Sequence, residues 1–139
     1  MTTLATTAWL ALLSWVQPNP GMAPGEVVAA VVDALRHNNS PHPNAGVLTV
    51  YHFASPANRR VTGPYGHFFR LVKSPAYQLL FHAAAVEFGE IHMQGDRASQ
   101  DVATRASGGE SATFRFDLSR QPDGPCAGCW MVDGVTRLP

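Results

Sequence analysis

Charge is scarce in this chain: Asp, Glu, Lys and Arg make up only 14 % of it, where about a quarter is usual for a globular domain. Ten acidic residues balance ten basic ones, and no run of like charge occurs. Holding a phosphate backbone needs a long-range positive field, so no nucleic-acid partner is expected. Lysine is nearly absent. Nine of the ten basic residues are Arg, and none precedes Arg36. The start of the chain therefore lacks the basic n-region of a secretory signal and the Arg-rich character of a transit peptide. The apolar run from Leu4 to Val16 covers 13 residues, short of the roughly twenty that cross a bilayer, so no transmembrane span of its own is expected. Only two cysteines are present, Cys126 and Cys129, with no second C-x-x-C and no paired-His motif at the usual spacing. No catalytic or cofactor motif stands out, and no cofactor is expected.

Apolar residues are plentiful, at 45 % of 139 positions. A chain of that size supports one domain with one core, burying roughly two thirds of the surface its unfolded form exposes, and disorder is not expected. Three prolines and a glycine between Gln17 and Pro24 cannot continue a helix. They divide an apolar N-terminal arm with its linker (1–23) from a single domain (24–139).

Pro24 suits a first helical turn, Glu26 complements its positive end, and Val28, Val31, Val32 and Leu35 share one face. The run HNNSPHPN from His37 to Asn44 is turn chemistry. Val47 to Phe53 reads as helix or strand by periodicity alone. SPANRRVTGP, from Ser55 to Pro64, reads as a loop. Phe68, Phe69, Leu71 and Val72 form a further helical face that stops before Pro75, and a helical turn is expected around Tyr77 to Leu80.

From Ala84 the apolar period becomes two. Ala84, Val86 and Phe88 alternate, Gly89 interrupts, and Ile91 and Met93 resume out of phase, which reads as a β-bulge. Ala98 to Ala106 is a weak strand, Ala112 to Leu118 a strongly alternating one, and Trp130 to Val135 the last. Their short connections leave no room for helical crossovers. The expected fold class is α+β, with N-terminal helices packed on a bent four-stranded antiparallel sheet.

FASPANRRVTGP at Phe53 to Pro64, HFFRLVKSPAYQLL at His67 to Leu80 and CWMVDGVTRLP at Cys129 to Pro139 resemble a family known only as a domain of unknown function, over about residues 24 to 139. That family is similar to the cystatin-like superfamily that includes nuclear transport factor 2 and the small polyketide cyclases and ketosteroid isomerases. The resemblance implies a cone-shaped fold and a helix over Val47 to Phe53. The superfamily hosts enzymes, pocket-bearing binders and assembly subunits on one scaffold. Its enzymes place an acid or a His–Asp pair in the cone, and no such dyad maps onto matching positions here. Secretion signals and organelle-targeting extensions among family members imply an organelle or cell-envelope compartment, although Leu4 to Val16 departs from both patterns.

Several residues bear on chemistry. His67 and His82 lie in or beside apolar helical runs and are the candidate general bases, with hydrogen-bonded structural or surface histidines as the plainer reading. Asp33 and Glu87 are the carboxylates nearest to core-facing runs and read as solvated. Asn58 and Arg59 are candidates for holding an anion or a partner carboxylate at the cone mouth, because Arg presents a forked donor; a capped turn explains them equally well. Phe68, Phe69, Tyr77 and Phe81 read as core first and pocket lining second. Cys126 and Cys129 have the spacing of a redox dithiol, of half a zinc site completed by His37 and His42, and of a turn-closing disulfide. They read first as two unpaired structural thiols.

The leading expectation is a non-catalytic module of a larger assembly, whose sheet face or cone mouth binds another protein chain. Leu10, Leu13 and Trp15 of the arm would dock on that partner or on a membrane-bound assembly. The alternative is a small apolar-ligand binder or isomerase- or hydrolase-type enzyme that uses the cone as its pocket, with His67 or His82 as base.

Overall fold

The computed structural model describes residues 16–139, so Leu10, Leu13 and Trp15 lie outside the described residues. Helix α1 (Pro24–Arg36) begins on Pro24, and the Glu26 carboxylate accepts the Ala23 backbone N–H at 2.9 Å. Its apolar stripe of Val27, Val28, Val31, Val32 and Leu35 is fully buried, as three- and four-residue spacing requires.

After the Asn- and Pro-rich turn, α2 (Ala45–Phe53) buries Val47, Val50 and Phe53. The ambiguous run is thus a helix. Gly46 lies where α2 crosses α1; a Cβ there would run into the Ala34 carbonyl and lie 2.8 Å from the Asn38 Cα, so only glycine allows the approach.

The stretch read as a loop holds a third helix, α3 (Pro56–Thr62). Ser55 Oγ accepts the Asn58 N–H at 3.1 Å, Pro56 occupies the first helical turn, and Gly63 ends the helix at φ 80°. Those are start and stop signals for a helix, but α3 buries no residue and so has no apolar period to detect. Next come α4 (Tyr65–Val72) and a 3-10 helix (Pro75–Leu80).

Four strands follow, β1 (Ala85–Gln94), β2 (Arg97–Arg105), β3 (Ser111–Arg120) and β4 (Trp130–Arg137), in an antiparallel meander of order β1-β2-β3-β4. The β1–β2 register shifts between Phe88 and Ile91, where the apolar phase slips in the sequence. A Cβ on Gly89 would lie 3.0 Å from the Asp101 carbonyl, which explains the glycine. The β3–β4 register also shifts, between Asp117 and Leu118, leaving Asp133 as the extra residue on β4.

Val102, Phe114, Phe116 and Leu118 face the helices from the inner side of the sheet and form one core with α1, α2 and Phe68. The outer side carries Glu87, His92, Asp101, Arg115 and Asp117, all exposed or half-buried, with Arg115 Nε donating to Asp101 Oδ1 at 2.8 Å. The end of α2 is tied to the sheet by a parallel bridge between Ala54 and Val132 and by the Ser55 N–H, which donates to Val132 O at 2.9 Å. This join holds the helical layer against β4 and leaves a gap between them.

Candidate functional site

That gap is a cavity of about 240 Å³. Its floor is Val31 and Leu35 of α1, Val50 of α2 and Phe116 of β3; its walls are Phe68 and Leu71 of α4, Leu80, and Val132 to Val135 of β4. The bulge at Asp133 widens β4 where it borders the cavity, since an extra residue bends the strand. Val61 and Leu71 stand at the rim, 87 % and 45 % exposed.

Four polar side chains join this lining: Asn58, Thr62, Tyr77 and Asp133. Tyr77 Oη donates to Val135 O at 2.9 Å, Thr62 Oγ1 donates to Asn58 O at 3.0 Å, and Asn58 Nδ2 donates to Val132 O at 3.1 Å. The amide orientation of Asn58 follows from its partner, because a carbonyl only accepts. Asp133 Oδ1 accepts from Ser119 Oγ at 2.9 Å. Since Leu118 faces inward, strand alternation puts Ser119 on the outer side, and the Asp133 carboxylate is drawn there.

Three of the four residues singled out for binding, Asn58, Phe68 and Tyr77, therefore line one cavity. Arg59 does not. Its Nη2 donates to Tyr51 O at 2.8 Å and His52 O at 3.3 Å, and its guanidinium lies 4.3 Å from the Tyr51 ring centroid. It caps the C-terminal carbonyls of α2 and stacks on an aromatic cluster in which Tyr51 meets Tyr65 and Phe68 edge-on. Arg59 borders a separate hollow with His52, Pro56 and Met131, and its Nε has no hydrogen-bond partner among the described residues.

The histidines lie elsewhere. His67 is exposed with Nδ1 3.1 Å from Thr62 O, and His82 is exposed at φ 54° after the 3-10 helix. Neither lines the cavity, so the placement of a histidine base in the cone is corrected: the faces that carry the apolar runs turn these rings outward. Asp33 and Glu87 are solvent-exposed, as read. Burial, and then the charge of Arg59, lower the pKa of His52, while burial raises that of Tyr65. Neither group touches the cavity.

Cys126 and Cys129 are joined by a disulfide across a Cα–Cα distance of 5.4 Å, which corrects the reading of two unpaired thiols and removes them as zinc ligands. The Cys129 N–H donates to Cys126 O at 3.0 Å, and Gly128 takes φ 84°. This is a turn with glycine at its third position, and it brings the two side chains together. The glycine in C-A-G-C was the available signal. Among the described residues, no group of three or more His, Cys, Asp or Glu is placed to hold a metal ion. Among the same described residues, no helix is long and apolar enough to cross a membrane.

A family described as a domain of unknown function (DUF4864) matches residues 25–139. The chain belongs to this family. The match takes in every element from α1 to β4 and all of the cavity lining. No curated protein and no solved structure matches the chain.

Proposed function

We propose that this member of the DUF4864 family is a non-catalytic binding module with a cystatin-like cone, whose site is the cone mouth and whose ligand is a small apolar molecule. The observation that carries the reading is the cavity of about 240 Å³, apolar on floor and walls and polar only at Asn58, Thr62, Tyr77 and Asp133. Pockets for small ligands have this character: mostly hydrophobic, with a few polar groups that orient the ligand. No histidine, lysine or arginine is in the lining, and the one carboxylate accepts from a hydroxyl of the outer sheet face. Acid–base catalysis needs a proton-transfer group within reach of the substrate, so binding without turnover fits this lining best.

Leu71→Trp tests the site. Leu71 is a half-exposed rim residue, so a larger ring there covers the mouth with little strain on the core. Titration with menthol, followed by backbone chemical shifts, is expected to saturate and to move Val31, Val50 and Val132, with the response abolished in Leu71→Trp. Shifts scattered over the outer sheet face, or an unchanged response in the variant, would overturn the assignment.

The exposed Val61 and Leu71 support a second reading, in which an apolar side chain of another protein chain enters the same mouth. The outer sheet face, which bears Glu87, His92, Asp101, Arg115 and Asp117, suits this poorly. Native mass determination of the protein from its own cells separates the two readings. Recovery in a defined complex favours the partner, and recovery with a bound small molecule favours the ligand.

A further inference from the structure

Every hydroxyl that lines the cavity already donates its O–H within the protein. Tyr77 Oη donates to Val135 O and Thr62 Oγ1 to Asn58 O. A hydroxyl has one O–H and two lone pairs, so each of these oxygens meets a ligand only as an acceptor. Asn58 spends one N–H on Val132 O, and its Oδ1 has no partner among the described residues. The Asn58 Oδ1, Thr62 Oγ1 and Tyr77 Oη atoms thus outnumber the one remaining side-chain N–H, which belongs to Asn58. Redirecting the Tyr77 hydroxyl would leave the part-buried Val135 carbonyl without this donor, and an unsatisfied acceptor is costly. The polarity at Tyr77 is therefore built in, whereas the Asn58 carbonyl also serves the α3 helix ladder.

Two features bound the ligand further. No cationic side chain lies in the lining, so a carboxylate or phosphate would be desolvated without a counter-charge. Apart from Asp133, whose carboxylate accepts from Ser119, the remaining lining is valine, leucine, phenylalanine, alanine and glycine, which favours a hydrocarbon body.

We infer that the cavity selects a neutral apolar alcohol, a compact hydrocarbon skeleton carrying one hydroxyl donor. The inference rests on the cavity reading above and sharpens it from any small apolar ligand to a chemical class. The hydroxyl donates to one of the three oxygens, and its own oxygen accepts the spare Asn58 N–H. Among the lining side chains, a ketone of the same shape can use only that N–H, and a hydrocarbon uses neither.

The test is a set of dissociation constants for menthol, menthone, p-menthane and decanoate on the wild-type chain and on Tyr77→Phe, measured by backbone chemical-shift titration. Menthol is expected to bind about three- to tenfold more tightly than menthone, the range one net hydrogen bond supplies, and more tightly still than p-menthane, which makes neither hydrogen bond. Decanoate is expected not to saturate. In Tyr77→Phe, which removes one of the three acceptors, the menthol-to-menthone ratio should fall while p-menthane affinity stays level, an outcome that loss of folding would not produce. Saturable binding of menthone or decanoate as tight as that of menthol would overturn the inference and leave the cavity reading standing. Absence of saturable binding by all four would overturn the cavity reading and the inference with it.

Discussion

At the base of the domain, α1 presents Val27, Val28, Val31, Val32 and Leu35 to a core that also holds Phe53, Phe114, Phe116 and Leu118, every one buried; at the cavity mouth, α3 buries no residue at all. The base is held by apolar area removed from water, which is worth about 25 cal/mol per Å². The mouth is held by directed polar contacts: Ser55 capping α3, Asn58 reaching Val132 O, and Arg59 reaching the last carbonyls of α2. Apolar burial is non-directional and tolerates no voids, whereas a helix held at a few polar points leaves space beside it. The cavity lies where one regime gives way to the other. Stability and recognition are thus assigned to different parts of one small domain, and substitutions can test that division.

The largest expected effect is at the base. Phe53→Ala removes a side chain that is fully buried and should cost about 3–5 kcal/mol in a denaturant melt, a large share of a small domain's stability. A cost below about 1 kcal/mol would move the source of stability elsewhere and break the comparison.

An intermediate effect is expected at the join of the two regions. Arg59→Gln removes the charged contact to the Tyr51 and His52 carbonyls and should cost about 2 kcal/mol. It should also raise the His52 pKa only part of the way to 6.5, because burial is the larger cause of its depression and Arg59 the smaller. Titration of the imidazole by NMR checks this. The depressed value means that the folded chain favours neutral His52. Lowering the pH through 6.5 protonates the unfolded chain first and erodes stability, and the erosion levels off below the folded pKa. Arg59→Gln should shrink that acid-side loss.

The smallest effect is expected at the rim. Val61 is 87 % exposed, so Val61→Asp should leave the unfolding midpoint within about 0.5 kcal/mol of wild type while weakening the binding of an apolar ligand. A marked destabilisation would mean that the mouth contributes to the fold as the base does.

The sequence displayed the base more openly than the mouth. The stripe on α1, the alternation of Phe114, Phe116 and Leu118, and the phase slip at Gly89 are all periodic, and each marks an element in the structure. Asn58, Phe68 and Tyr77 stood out individually, but nothing in their spacing showed that they share a cavity, because α3, α4 and the 3-10 helix meet only through tertiary packing. Helix α3 itself was hidden for want of an apolar face, despite Ser55, Pro56 and Gly63. His67 and His82 follow the plainer reading of surface or hydrogen-bonded histidines; an apolar neighbourhood in sequence does not say which way one ring turns. The pairing of Cys126 with Cys129 depended on the glycine turn between them.

By itself the sequence determined the α+β class, the strand order and the core, because hydrophobic period and turn chemistry are local and leave their record residue by residue. Only the tertiary structure decided where a cavity opens, that the Tyr77 hydroxyl donates to Val135 O, and that Asn58 reaches Val132 O. Those outcomes depend on which carbonyls β4 places within reach of Asn58 and Tyr77, distances between residues far apart in the chain that no local pattern encodes.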